Sequence, residues 1–486
     1  MGNDLKNETG LDLINPQNVQ TKSVYQSDAD TIFKKLNSIS PSFCLAKWFN
    51  VSLHIPTGRT HSCYHPPAHY IPLEELSKDP SALHNTLHKK AQRKKMLDGE
   101  RPSECFFCWN IEDSGNELSD RAYRSKDVYT PGIFEEVKEV GYEGNAKPKY
   151  VEVNFNQACN FKCAYCSPHL STAWHKEINE KGPIKLADGR SHNDTGWMAR
   201  DNMIPDNSPN NPYLKAFWEW FPTIYPTLHT FRMTGGEPLM DKNTFKIFDY
   251  VLERNDNPRL HLSITSNCCP PGNQWEKFIE AIVKLDESNA IAHFELFCSL
   301  DSWGEQAAYI RTGMDFDLLY RNIVEYLAKG KKHSLTFIVT FNALSLPGFK
   351  IYLENILRLK QEFNNDYYLV RFDSPMLVDP NWLSLKLFTP DQLTNLEECI
   401  QFMEDNKEVP GSEFRGFMDH EIAKIRRLLD WAKVPHADIE KLRANFYAYI
   451  TQHDQRRDTN FLEVFPELED LYNESKICYE KTTKKR

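Results

Sequence analysis

Cys159, Cys163 and Cys166 stand in the run Asn156-Gln157-Ala158-Cys159-Asn160-Phe161-Lys162-Cys163-Ala164-Tyr165-Cys166, a C-x3-C-x2-C spacing. Just before them, Val151, Val153 and Phe155 alternate with polar residues over Tyr150–Phe155. Alternation over that length predicts a strand, with the cysteines on the loop that leaves its C-terminal end. Such a loop can wrap three thiolates around one face of an iron–sulfur cube, and a fourth iron without a protein ligand is then open to a substrate or cofactor. A zinc knuckle short of one ligand, or three buried thiols, would use the same residues.

A second set lies upstream. Cys44 and Cys63 fall near the two ends of an expected hairpin, in which Trp48–Ile55 reads as a strand and Pro56-Thr57-Gly58-Arg59 as a tight turn. Cys105-Phe106-Phe107-Cys108 is a C-x2-C turn, the spacing by which two thiolates converge on one metal or cluster. Four thiolates suit a second iron–sulfur cluster or a structural zinc ion alike. His65 and His69 are expected to hold the Pro-rich loop between them by hydrogen bonds.

With Thr234-Gly235-Gly236-Glu237-Pro238 at the end of a second expected strand, the cysteine trio resembles the signature of the radical S-adenosylmethionine (SAM) enzymes. The resemblance implies a [4Fe–4S] cluster on Cys159, Cys163 and Cys166. It also implies SAM bound at the open iron and cleaved to methionine and a 5′-deoxyadenosyl radical. It carries the methionyl amino group to Gly235, Gly236 and Glu237, with Glu237 as an acceptor for the ammonium. Asn267, Ser299 and Asp301, at the third and fourth strand ends, match ribose- and carboxylate-contacting positions, although a Ser or Asp after a strand also serves as a helix N-cap. Arg311 would pair with the SAM carboxylate, and Tyr165 matches the aromatic residue near the adenine, where its backbone counts for more than its ring. Cys44, Cys63, Cys105 and Cys108 resemble the auxiliary-cluster module called twitch, a shortened SPASM domain, here placed before the barrel. Relatives with auxiliary clusters imply hydrogen abstraction from a peptide or protein side chain, with a sugar, nucleotide or other small metabolite as the alternative. A flavodoxin or ferredoxin would be the low-potential electron donor. A non-catalytic zinc adaptor is the rival from another class. The catalytic side chains beyond the cofactor contacts stay unknown.

The elements that must position these groups alternate strand with helix from Tyr150 onward, the pattern of right-handed βα units on a parallel sheet. Strands are expected at Tyr150–Asn156, His229–Met233, Leu260–Ser266, His293–Leu300, Ser334–Phe341 and Tyr367–Phe372. Six agrees with the partial (β/α)6 TIM-like barrel that the resemblance implies. The expected division is a loosely ordered segment over 1–40, a cysteine-rich module with its wrap over 41–148, the barrel over 149–379 and a helical region over 380–486. Residues 182–212, rich in Gly, Asp, Asn and Pro, read as a lid or a disordered loop, and they and the C-terminal helices are expected to select the substrate. Helices are expected at Pro80–Leu97, Pro390–Glu404, Met418–Lys433 and His436–Tyr449, and Phe217–Phe221 as an aromatic helix packed on the barrel. Cys268 and Cys269 are expected to be an inert pair at the barrel mouth, and Cys298 a small hydrophobe in a buried strand.

At 486 residues the chain exceeds one ordinary core, and 40% hydrophobic with 12% aromatic residues is a globular composition. A formal charge of −10 and pI near 5.9 argue against a dedicated nucleic-acid binder, and the basic run Lys89–Lys95 reads as a solvated helix face. No apolar run is long enough to span a bilayer and Met1–Gly10 holds no secretory segment, so the cytoplasm is the expected compartment. Twelve cysteines there point to metal and not to disulfides.

Overall fold

Alternation along the strands sets the architecture. The computed structural model describes residues 22–484 apart from 116–117, 331–332, 366–368, 410 and 435. Its main sheet contains β1 (Asn50–His54), β2 (Arg59–His61), β3 (His69–Tyr70), β4 (Tyr150–Asn154), β5 (Thr230–Thr234), β6 (His261–Ser266), β7 (His293–Ser299), β8 (His333–Ile338) and β9 (Val370–Asp373). The nine strands bond in the order β9-β8-β7-β6-β5-β4-β1-β2-β3. Neighbours from β4 to β9 run parallel. All six expected strands are present, within a few residues of their expected ends; Tyr367 lies outside the described residues.

On one face of this sheet Val151, Val153, Phe231, Met233, Leu262, Ile264, Phe294, Leu296 and Cys298 are fully buried. Helices cover them between successive strands. After β4 come α6 (Thr172–Lys181) and α7 (Pro212–Ile224), after β5 α8 (Lys242–Arg254), after β6 α9 (Gln274–Ser288), after β7 α10 (Phe316–Lys329) and after β8 α11 (Phe349–Phe363). Ser171, Asp241 and Asp315 start α6, α8 and α10 by accepting backbone N–H groups, as N-cap residues do. The other face differs in kind. Glu152, Arg232, Thr265, Glu295, Phe297 and Arg371 are only half-buried there. Sheets sandwiched by helices are apolar on both faces, so this polar face was not built to take a helix layer.

The cysteine-rich region is not a module set apart. β1 lies parallel to β4 in register over its whole length, from Asn50 opposite Tyr150 to His54 opposite Asn154, and β2 and β3 extend the sheet antiparallel. Val51, Leu53 and Ile55 share the main core with the parallel strands β4–β9. The expected wrap over 110–148 is helical: α3 (Phe106–Ser114), α4 (Asp120–Asp127) and α5 (Ile133–Val140). They pack a second core with Phe43, Trp48, Trp109 and Val128, beside α1 (Lys22–Ile39) and α2 (Leu87–Leu97). The loose lead-in expected over 1–40 is thus a helix from Lys22, and its first 21 residues lie outside those described. The expected Pro80–Leu97 helix divides into a 3-10 turn, Pro80–Leu83, and α2. The basic run is not a solvated face either: Lys89 and Arg93 are buried, Arg93 donating to Lys47 O, Asn85 Oδ1 and Gly144 O.

Residues 182–212 are not a free lid. They contain a small hairpin, Ile184–Lys185 with Ser191–His192, and a short helix, Gly196–Arg200. Asp188 bonds Asn445 on one side, and Asn211 donates to Ile55 O on the other. The C-terminal helices α12 (Thr394–Asp405), α13 (Asp419–Lys433), α14 (Ile439–Arg457) and α15 (Glu469–Lys484) share the main core through Ile425, Phe446, Tyr449 and Leu471. Among the described residues no helix is long and apolar enough to cross a membrane.

A buried ion pair joins α13 to α11, and its carboxylate also takes up β9. Lys360 and Glu421 are both fully buried, and Glu421 accepts from Lys360 Nζ at 3.0 Å, Phe372 N at 3.0 Å and Met418 N at 2.8 Å. Glu421→Ala strands the lysine charge, and we expect a loss of about 3–5 kcal/mol, read as a lowered denaturant midpoint. A midpoint within error of the parent would show the lysine to be neutral there.

Candidate functional site

The Cys159–Cys166 loop leaves the C-terminal end of β4, where parallel sheets gather reactive groups. It is held from several sides. Arg311-Thr312 pairs antiparallel with Lys162-Cys163, and Ala164 N donates to Ile310 O at 2.8 Å. Trp174 Nε1 donates to Cys163 O at 2.9 Å, and Tyr449 Oη to Ala164 O at 2.6 Å. Asn160 donates to Cys269 O at 2.7 Å and accepts from Asn267 Nδ2 at 2.8 Å. The C-terminal region therefore buttresses the loop. No local pattern in the sequence could have joined Tyr449 to Ala164.

The three thiols are half-buried neighbours. Burial, with repulsion between them, pushes Cys159 and Cys166 up to about 12 and raises Cys163. Phe161 N–H at 3.4 Å from Cys159 Sγ and Arg311 Nη1 at 3.6 Å from Cys163 Sγ favour the thiolates in return. As free thiols they are protonated at neutral pH, so a metal that binds them must displace protons.

The glycine turn after β5 sits directly on this loop. Gly236 N donates to Asn156 O at 3.2 Å and Glu237 N to Ala158 O at 2.6 Å. Gly235 has φ +136°, and a Cβ there would lie 2.7 Å from both Asn154 Oδ1 and Asn156 O; a Cβ on Gly236 would strike Ala158 O. The glycines thus serve loop-to-loop docking as well as ligand approach.

Three residues of the carried-over set already have partners within the protein. Glu237 is buried, its Oε1 accepting from Leu239 N (3.0 Å) and Ser266 Oγ (2.8 Å) and its Oε2 from Asn267 N (2.6 Å). Burial raises it to about 7 against those donors. Its carboxyl joins the ends of β5 and β6. Arg311 is occupied by Asp301, with Nη2 3.0 Å from Oδ1 and Nε 2.9 Å from Oδ2, so it is not a free partner for the SAM carboxylate. Asp301 also accepts from Tyr165 Oη at 2.8 Å and Thr340 N at 2.8 Å; it is neither a helix cap nor open to a ribose, and the Tyr165 ring is a structural tie. Asn267 braces the cysteine loop. Ser299 is half-buried at the end of β7, on the polar face. Cys268 and Cys269, just past the C-terminal end of β6, are buried, with Cys268 beside Cys298.

The thiols of the second cysteine set lie near one another. Burial and mutual repulsion push Cys63 and Cys108 up to about 12 and Cys105 to about 11. Each thiol meets a polar group: Ser125 Oγ 3.7 Å from Cys44 Sγ, His65 N–H at Cys63, buried Lys47 at Cys105, and Arg121 N–H at Cys108. Ser125, Lys47 and Arg121 carried no sequence signal. His65 and His69 hold the loop as expected, through Asp120 at 2.7 Å and Thr86 at 2.8 Å. His61 lies opposite Ser52, so Cys63, two residues on, is level with Asn50 at the N-terminal edge of the parallel strands. The two cysteine sets therefore belong to opposite edges of the parallel strands. Among the described residues no three His, Cys, Asp or Glu side chains are set to hold a metal ion. Each set's thiols are neighbours that are not drawn onto one point.

A separate cavity of about 270 Å³ opens behind the loop, between Ile55, Asn156, Asp206 and Asp241. Its polar groups largely bond one another, Asp241 with Asn156 and Asn243 among them.

No family model matches the chain. It is 24% identical over 201 residues to GTP 3′,8-cyclase of Campylobacter lari, a match that covers 41% of this chain and 47% of that protein. That homology joins a cysteine trio and a glycine turn docked at successive strand ends. That similarity supports the radical SAM superfamily for this chain. The chain spans about half the length of the curated relative it matches. The solved structure of Streptococcus suis SuiB bound to S-adenosylmethionine covers 74% of this chain and 68% of its own at 12% identity, with a TM-score of 0.32, a likeness too slight to argue from.

Gly236→Ala should force the turn off the cysteine loop at a cost of about 1–3 kcal/mol. We expect iron bound after anaerobic reconstitution to fall by about half or more with the far-ultraviolet dichroism unchanged. Parental iron content would show that the loop holds its shape without the turn.

Proposed function

We propose that this radical SAM protein is an enzyme that generates a 5′-deoxyadenosyl radical at the Cys159–Cys166 loop and abstracts hydrogen from a small polar substrate lying on the polar face of its sheet. Cys159, Cys163 and Cys166 would hold the [4Fe–4S] cluster, which supplies the electron that splits SAM. The observation that carries the reading is the docking of the glycine turn on the cysteine loop by two backbone hydrogen bonds. Tyr449, Trp174 and Ile310 hold that loop in place around the thiols. The residues of β4–β9 would form the partial (β/α)6 barrel of the superfamily, its polar face enclosing the substrate.

A small polar substrate stands ahead of the peptide side chain for two reasons. The matched relative acts, by its name, on GTP. Half-buried Glu152, Arg232, Glu295 and Arg371 offer charged hydrogen-bonding groups to a compact polar molecule. A low-potential donor of the flavodoxin or ferredoxin type would reduce the cluster. Cys44, Cys63, Cys105 and Cys108 would hold a second, twitch-like iron–sulfur cluster, each thiolate steadied by the polar group beside it.

Two measurements test this. Anaerobically reconstituted, reduced protein should release 5′-deoxyadenosine from SAM, and Cys163→Ala should release none; equal release from both would refute the catalytic assignment. Iron and sulfide should each reach about eight per chain if both sets bind cubes. About four iron with one zinc would make the N-terminal set a structural staple.

A further inference from the structure

One cysteine of the trio is set apart from its companions by a charge. Cys159 Sγ meets neutral groups, Phe161 N–H at 3.4 Å and the Ser171 hydroxyl, and Cys166 Sγ lies 3.9 Å from Ser167 O. Cys163 Sγ instead has the guanidinium of Arg311 beside it, with Nη1 at 3.6 Å. The fold delivers this contact, because Arg311 is the cross-strand partner of Cys163 in the short antiparallel pairing that holds the loop.

The guanidinium is divided between two tasks. Asp301 takes one side of the fork, Nη2 lying 3.0 Å from Oδ1 and Nε 2.9 Å from Oδ2. Asp301 is fixed in turn by Tyr165 Oη and Thr340 N, each at 2.8 Å. That leaves Nη1 aimed at the sulfur. A planar fork of donors can serve a carboxylate and a sulfur together, whereas a lysine ammonium is a point charge on a flexible stem. The pair is out of water, Arg311 being 5% exposed and Asp301 0%. Burial raises the Cys163 thiol, and Arg311 is the largest influence drawing it back.

An iron–sulfur cluster that takes up an electron in such a place gains negative charge where water cannot answer it. A hydrogen bond donated to a ligating sulfur favours the reduced form and raises the potential. The Asp301 carboxylate works the other way, offsetting the net charge of the guanidinium while it aims the remaining N–H.

We propose that Arg311, held by Asp301, is a positioning residue that acts through Cys163, its N–H to Cys163 Sγ raising the reduction potential of the cluster on the trio into the range of its electron donor. This rests on the radical SAM reading above, and it gives Arg311 a role other than pairing with the SAM carboxylate.

The test is a redox titration of anaerobically reconstituted protein, read by electron paramagnetic resonance on the signal that changes when SAM is added, which marks the cluster of the trio. Arg311→Lys keeps the ion pair and loses the fork. It should lower the potential by about 59 mV or more, tenfold in a one-electron equilibrium, the size expected for a lost hydrogen bond to a charged group. Asp301→Asn keeps an oxygen for the guanidinium and frees its charge, so the potential should rise. If the lysine variant does not fold, Arg311→Met combined with Asp301→Asn removes both charges together and should show the same fall. A loop merely loosened to water would raise the potential in every variant, because water favours the more highly charged reduced cluster. A parental or raised potential in Arg311→Lys, or in the double variant where that one carries the test, overturns the proposal, as does a fall in Asp301→Asn. Weakened SAM binding at parental potential would return Arg311 to the SAM carboxylate and overturn it too. If the parent protein takes up no iron, the proposed function falls first, and the two failures stay distinct.

Discussion

Everything at the candidate site depends on one contact between two loops. The turn after β5 lies against the loop after β4 through Gly236 N to Asn156 O and Glu237 N to Ala158 O. Side chains at either position of the glycine pair would hold the loops apart. Glu237 then reaches on to Ser266 and Asn267, and Asn267 reaches back to Asn160 inside the cysteine loop. The ends of β4, β5 and β6 are thus tied into a closed ring of hydrogen bonds. A loop so braced keeps its backbone fixed beside the glycine turn.

The second constraint is the two-sidedness of the sheet. One face is apolar and sealed by helices; the other carries Glu152, Arg232, Glu295 and Arg371 in paired or near-paired charges. Because the side-chain period of a strand is two, the same alternation that packs Val151 and Val153 into the core also delivers Glu152 and Asn154 to the opposite face. Core formation and site formation are therefore the same event in β4, and a one-residue slip would lose both.

Much of this was legible in the chain itself. The six parallel strands could be read because each alternates, and the cysteine and glycine motifs stood at the strand ends that alternation marked. What could not be read was which polar groups satisfy each other. Asp301 and Arg311 look like ligand contacts in sequence, yet a buried charge needs a partner and each is the other's nearest. Glu237 looks like an acceptor for a ligand, yet three protein donors reach it first. Tyr449, far along the chain from Ala164, has no signature at all. The hairpin β1–β2 was visible, but its parallel pairing with β4 was not, since strand partners are set by the packing of Val51, Leu53 and Ile55 and not by any local code. The burial of Lys89 and Arg93 was misread because a charge run on a helix is normally solvated. Here Lys47 O, Asn85 Oδ1 and Gly144 O give the guanidinium acceptors inside the protein.

That pairing of β1 with β4 bears on the second cysteine set. Had the N-terminal region been a tethered module, its thiols could have swung to the mouth of the sheet. Bound in register along β1, Cys63 is confined to the N-terminal edge, while the cysteine trio rises from the C-terminal edge of the adjacent strand. The polar face runs between the two: Tyr64, next to Cys63, meets Tyr150 at 3.1 Å at its lower end, and Asn154 ends the same strand at its upper end. A molecule lying on that face has one cysteine set toward each end of β4, and neither set can approach the other without breaking the sheet. The strand that carries the alternation therefore also sets the distance between the two groups of thiols.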